Sequence, residues 1–218
     1  MTAPKYDLSR ALGELPLFPL PRMVLFPGTE LPLHVFEPRY RRMLADCLET
    51  HGAMAVVRLL EPERNDGRGQ SRICSVAGAG IVTHHEKMAD GRSNLILAAS
   101  ARVHLEELPF IPPYRRARAR VLRTSGGPVR EPDAAALVGA ATAFALEVRR
   151  HDPEFSFHVP DSLSPGAIAD VCAAHLIVDA DVRQLLLEEL DDAKRVQIVI
   201  EELASQRLRI GNKSRVLH

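Results

Sequence analysis

The stretch from Leu15 to Tyr40, LPLFPLPRMVLFPGTELPLHVFEPRY, constrains the fold more than any other part of the chain. It is mostly apolar and carries Pro16, Pro19, Pro21, Pro27 and Pro32. Proline lacks an N–H and has a fixed φ, so this spacing forbids a continuous helix, whether of a signal peptide or of a membrane span. A disordered proline-rich ligand is polar and solvated. Here Leu, Val and Phe fill nearly every gap and need burial. Short strands and turns remain. Leu15, Leu17 and Leu20 belong to a first strand, broken by Pro19 and Pro21. PGTE at 27–30 is a turn, and LPLHVF at 31–36 is a second strand. Prolines confine strands to edges, ends or bulges. These strands are therefore expected to close a barrel or cap its rim, outside the middle of an open sheet.

The period changes at Glu37–Pro38. Proline at a first helical position is pre-organised, and Tyr40, Met43, Leu44 and Cys47 follow at i, i+3, i+4 and i+7. This helix is expected to stop near His51–Gly52. Residues 53–60 read as a buried strand and 61–72 as a polar loop. Runs at 73–88 and 93–105 are joined by a hairpin at Asp90–Gly91. Residues 114–123 alternate Arg116, Arg118 and Arg120 against Ala117, Ala119 and Val121. Residues 1–124 thus form a β-rich subdomain with one inserted helix. The small, polar segment 125–132 is a linker. Beyond it, residues 133–218 turn to a helical period. Leu137, Ala140, Ala141, Phe144 and Val148 make one stripe; Ile168, Val171, Cys172, His175 and Leu176 make another, after the cap Ser164–Pro165. A short helix over 181–190 and a longer one capped by Asp191–Asp192 complete a bundle of about four helices. The fold class is α+β.

Several chemistries are excluded by what the residues can do. Net charge is +0, so no global field advertises nucleic acid or an anionic membrane. Cys47, Cys74 and Cys172 are odd in number and far apart, which argues against a disulfide framework and a zinc site. No apolar run approaches the ~20 residues that span a bilayer. No G-x-x-x-x-G-K-[ST] occurs; GAG at 78–80 lies inside a strand, and GNKS at 211–214 reads as a tail. His84 and His85 point to opposite faces of a strand. His175 falls on an apolar stripe and reads as a core histidine. The acidic pairs Glu188–Glu189 and Asp191–Asp192 read as caps and a solvated face. No nucleophile–base or metal constellation survives. The expectation is a cytoplasmic protein with no catalytic residues, no cofactor, no metal and no membrane attachment.

The order of elements, and the opening LPLFPLPRMVLFPGTELPLHVFEPRYRRML itself, resemble the N-terminal, substrate-binding domain of ATP-dependent Lon proteases. The FEPRY form is most similar to stand-alone bacterial members of that family. SVAGAGIV…DGRSNLILAASARVHL at 75–105, with Arg102, resembles the family's strand–Asp-Gly–strand block. SPGAIADVCAAHL and VRQLLLEELDDAKRVQIVIEEL look like its helical subdomain. The likeness covers about residues 13–210. It implies a β-rich, PUA-like pseudo-barrel followed by a helical bundle, and a role in recognising polypeptide substrates without chemistry. A full Lon protease adds ATPase and serine–lysine protease modules, for which these 218 residues leave no room.

Two features are candidates for binding. Phe155, Phe157 and Val159 alternate in the loop DPEFSFHVPDSL at 152–163. They either plug the seam between subdomains or present an apolar patch to unfolded polypeptide or a partner protein. The arginine row Arg116, Arg118, Arg120 and Arg123 is the alternative: PUA-like barrels of other families bind RNA, and a basic strand can contact phosphate. No aromatic side chain interleaves for base stacking, so a charged strand edge that discourages aggregation is the favoured reading and nucleic acid is disfavoured. A small ligand in the PUA-like groove is the companion alternative.

Overall fold

The computed structural model describes residues 6–60, 71–160 and 162–216, and side chains up to residue 210. Two compact units divide the chain, Met1–Arg123 and Thr124–His218.

The N-terminal unit holds β1 (Leu15–Leu20), β2 (Glu30–Val35), α1 (Pro38–Glu49), β3 (Ala53–Arg58), β4 (Val76–Lys87), β5 (Ser93–Glu107) and β6 (Arg116–Leu122). The strand order is β2-β5-β4-β3-β1-β6, and β6 also pairs with β5. The sheet therefore closes on itself through β5, β4, β3, β1 and β6, with β2 attached outside the ring. The length of β5 makes this possible. Its first part pairs with β2 over Ser93–Ala98 and its last part with β6 over Arg102–Glu107. β4 runs along both parts, with register shifts at Ala79/Gly80 and Val82/His84 that bend the hairpin. The hairpin turn uses Gly91 at φ 81°, as Asp90–Gly91 predicts.

Side-chain alternation sorts the unit into two cores. Leu15, Leu17, Ala53, Ala55, Val57, Ala77, Ala79, Val103, Leu105, Ala117 and Ala119 come from all the ring strands and fill its interior. A ring this narrow has room for small side chains, and alanine dominates. The other face of β1, β3 and β5 supplies Phe18, Met54, Val56, Leu95 and Leu97. They pack with Tyr40, Met43, Leu44 and Cys47 of α1. This is the helical stripe read from the sequence.

The prolines sit where the ladder does not need their missing N–H. Pro32 is in β2, which pairs with β5 alone among the described strands. β1, however, sits between β3 and β6. It tolerates Pro19 because pairing with β6 covers Leu15 and Pro16 only. Leu17 donates its N–H to the Arg115 carbonyl on the β6 side at 2.9 Å. By alternation the Pro19 nitrogen faces that same side, past the end of the pairing, so no ladder bond is lost.

The C-terminal unit holds α2 (Glu131–His151), α3 (Pro165–His175), α4 (Ala180–Glu188) and α5 (Asp192–Val216). Its core gathers Leu137, Ala141 and Phe144 of α2, Ile168 and Cys172 of α3, Leu186 and Leu187 of α4, and Val196, Val199 and Leu203 of α5. Side-chain oxygens of Ser164, Asp179 and Asp191 accept the first free N–H groups of α3, α4 and α5. Ser125 bonds the Leu190 carbonyl through its N–H, which ties the start of the 125–132 segment to the α4–α5 joint. Two opposite charges are buried together among its described residues: Arg195 reaches the buried Asp170 at 2.9 Å, and also Asp192 at 2.5 Å and the Glu189 carbonyl at 2.7 Å. Two sequence readings change. GNKS at 211–214 is part of α5, not a tail, and His175 is exposed at the end of α3. The polar-loop reading of 61–72 lies outside the described residues apart from Ser71 and Arg72.

Candidate polypeptide-binding groove

α2 ends at His151, and the chain turns through Asp152–Phe155 with the Asp152 carboxylate accepting the Glu154 N–H at 3.2 Å. Residues 155–160 then run without regular structure between Pro153 and Pro160, which bar a helix. Phe155, Phe157 and Val159 are half-buried while Ser156 and His158 are exposed, so the alternation read in the sequence is real. These side chains form one wall of a groove of about 470 Å³. The opposite wall is α2, through Val138, Thr142, Ala145, Leu146 and Arg149 at i, i+4, i+7, i+8 and i+11. Ile168 of α3 closes the floor, and the Phe157 ring lies 6.3 Å from the exposed His175 ring.

The α2 wall is apolar and open. Leu146 is 58% exposed and Val138 37%. An exposed leucine on its own is ordinary; two beside three half-buried apolar side chains make a patch. The α2 contribution escaped the sequence reading because this helix is apolar on nearly every side. Leu137, Ala141 and Phe144 define its buried stripe, and that stripe hides a second one. Among the described side chains lining the groove none is a carboxylate; Arg149 and His158 are its basic groups.

The arginine row lies elsewhere, on β6 and just past it. Arg116 donates to Glu14 at 2.7 Å. Arg118 stands in register with Glu106 and Arg120 with His104. Arg118, Arg120 and Arg123 are exposed, Arg116 is half-buried, and Val121, expected on the buried side, is exposed near the strand end. Carboxylates thus stand beside two of the four guanidiniums, which weakens any phosphate-binding field. A separate hollow of about 370 Å³ in the N-terminal unit is lined by Pro19, Pro21, Tyr40, Phe110, Tyr114 and Arg115, among others. Its buried Arg115 is already engaged, donating to both Glu107 oxygens at 2.8 and 2.6 Å and to the Ser71 carbonyl at 2.7 Å.

The remaining candidates do not assemble. His85 meets Ser93 at 3.1 Å, but Ser93 is buried. Among the described residues no group of three His, Cys, Asp or Glu side chains is placed to hold a metal ion. Burial pushes the thiols of Cys47 and Cys172 up to about 12, far from a reactive thiolate. No described helix is long and apolar enough to cross a membrane.

The model of the ATP-dependent protease La (LON) substrate-binding domain matches residues 14–205. The chain belongs to this family. Among bacterial relatives, the Lon protease of Roseiflexus castenholzii is 25% identical over 206 residues, which cover 92% of this chain and 25% of that protein. Lon protease 2 of Myxococcus xanthus is 26% identical, over 91% and 24%. The Lon-type chain thus spans about a quarter of the length of the curated relatives it matches, and the matched region is the substrate-binding domain, not a protease module. Its fold is that of the Lon N-terminal domain protein from Xanthomonas campestris, at TM-score 0.62 and 22% identity, covering 86% of this chain and 97% of that one. It is likewise that of the N-terminal domain of the Mycobacterium avium complex Lon protease, at TM-score 0.63 and 16% identity, covering 88% and 98%.

Proposed function

We propose that this Lon-type domain recognises polypeptides without chemistry of its own, and that it holds apolar segments of unfolded protein, or of a partner protein, in the α2 groove. The observation that carries the reading is the open apolar wall of Val138 and Leu146 facing Phe155, Phe157 and Val159. It is a surface that needs cover, in a family described by substrate binding. On the same reading the closed ring of β1, β3, β4, β5 and β6 is a PUA-like pseudo-barrel, the four helices are a bundle, and residues 125–132 link the two. The working compartment is the cytoplasm.

A groove of this size buries far less than the ~1,200 Å² of a stable protein interface, so a single contact is weak and several on one unfolded chain add avidity. The test is an anisotropy titration with a labelled model protein in unfolded and native forms. Binding to the unfolded form, weakened by Leu146→Asp, supports the reading. Equal binding to both forms, or to neither, removes it.

A further inference from the structure

The groove is graded along its length. Its α2 wall runs from Val138 through Thr142, Ala145 and Leu146 to Arg149. Eleven residues of helix span about 16 Å, the length of roughly five residues of extended chain. One end is apolar and the other is cationic.

Arg149 makes no ion pair at that end among the described residues. In the last turn of α2, Glu147 accepts from Arg150 at 2.9 Å and lies 3.8 Å from His151. Arg149 has no carboxylate partner among the described residues, and Asp152 and Glu154 precede the groove-lining segment without lining it. The C-terminal carbonyls of α2 carry partial negative charge and oppose an anion there, so the Arg149 guanidinium has to outweigh them. His158 adds a second basic side chain to the lining.

Resting on the polypeptide reading above, we propose that the groove selects an extended apolar segment of about five residues flanked by an Asp or Glu side chain, whose carboxylate meets Arg149 while the apolar residues cover Val138, Leu146, Phe157 and Val159. An internal acidic side chain is the occupant rather than a chain terminus, because Arg149 is exposed and the bound chain can run on past it.

The experiment uses the full chain and labelled peptides acetylated and amidated at their ends, with one apolar core and Asp, Asn or Lys at the flank. A fourth peptide has a neutral flank and a free C-terminal carboxylate. The Asp peptide binds about fivefold tighter than the Asn peptide, the size of one exposed ion pair, and the gap narrows in high salt. Arg149→Gln levels the two, and Arg149→Glu moves the preference to the Lys peptide. Circular dichroism of the variants matches the parent, since Arg149 is on the surface.

Equal affinity for Asp and Asn peptides overturns the inference and leaves the apolar groove standing. So does an acidic preference that survives Arg149→Gln, or tight binding of the free C-terminus alone. Binding of none of the peptides overturns the groove reading and this inference together.

Discussion

Replacing Asp170 by Asn tests the energetics of the helical unit most sharply. Arg195 is 1% exposed and is held by Asp170 at 2.9 Å, Asp192 at 2.5 Å and the Glu189 carbonyl at 2.7 Å. Asparagine keeps the shape of Asp170 and removes its charge. Breaking a buried ion pair from one side costs about 3–5 kcal/mol, because the remaining charge stays desolvated. Asp192 and the Glu189 carbonyl still serve Arg195, which places the loss at the lower end, about 3 kcal/mol. That is a large share of the ~5–15 kcal/mol that stabilises an ordinary domain. Urea unfolding followed by far-UV circular dichroism, dominated by the helices, reads it as a lower midpoint at unchanged slope. The double change Asp170→Leu with Arg195→Met removes both charges, and it is expected to recover most of the loss. A cost below about 1 kcal/mol for Asp170→Asn refutes the reasoning, and so does a double variant no more stable than the single one.

Three further outcomes are expected. The Ala53 N–H donates to His51 Nδ1 at 3.0 Å, and burial, then Arg10, hold that imidazole below its ordinary 6.5. The neutral ring's contribution is therefore complete above pH 6.5 and is lost as pH falls through the lowered folded value. The melting temperature of the parent should drop more between about pH 8 and pH 5 than that of His51→Gln; equal drops contradict this. Gly78→Ala places a Cβ against the Leu25 carbonyl oxygen, a backbone atom that cannot step aside, and should cost about 1–3 kcal/mol in urea unfolding; a neutral change shows that the 24–26 segment is free to move. Single-stranded RNA should bind without an affinity that falls with salt and with Arg118→Ala plus Arg120→Ala, because Glu14 and Glu106 stand beside the row; a steep salt slope removed by those changes revives the nucleic-acid alternative.

Local chemistry makes much of this fold legible. The stripe Tyr40, Met43, Leu44, Cys47 states both that α1 is a helix and which face it buries, since a period of 3.6 admits no other reading. Asp90–Gly91 marks the β4–β5 turn because a left-handed φ there favours glycine. Ser164 and Asp191 announce helix starts through the bonds they accept. Ring closure is a different matter. It depends on β5 pairing with β2, β4 and β6 along a single run, and nothing local to residues 93–107 states how many partners a strand has. The same non-local pairing puts β1 between two neighbours despite its prolines. The groove was half legible: Phe155, Phe157 and Val159 alternate visibly, while Val138 and Leu146 are concealed in a helix apolar on nearly all sides. His175 was misplaced because the stripe runs out where α3 ends.

The central claim is that the α2 groove is where polypeptide binds. The backbone N–H groups of 156–159 lie outside regular structure, so they exchange with solvent quickly when free. Hydrogen–deuterium exchange of the full chain, with and without a saturating unfolded protein, reads the claim directly. Slowed exchange across 156–159 and the facing stretch 138–149 is the predicted result. Protection confined to other segments, with 156–159 exchanging as fast as in the free protein, would contradict it.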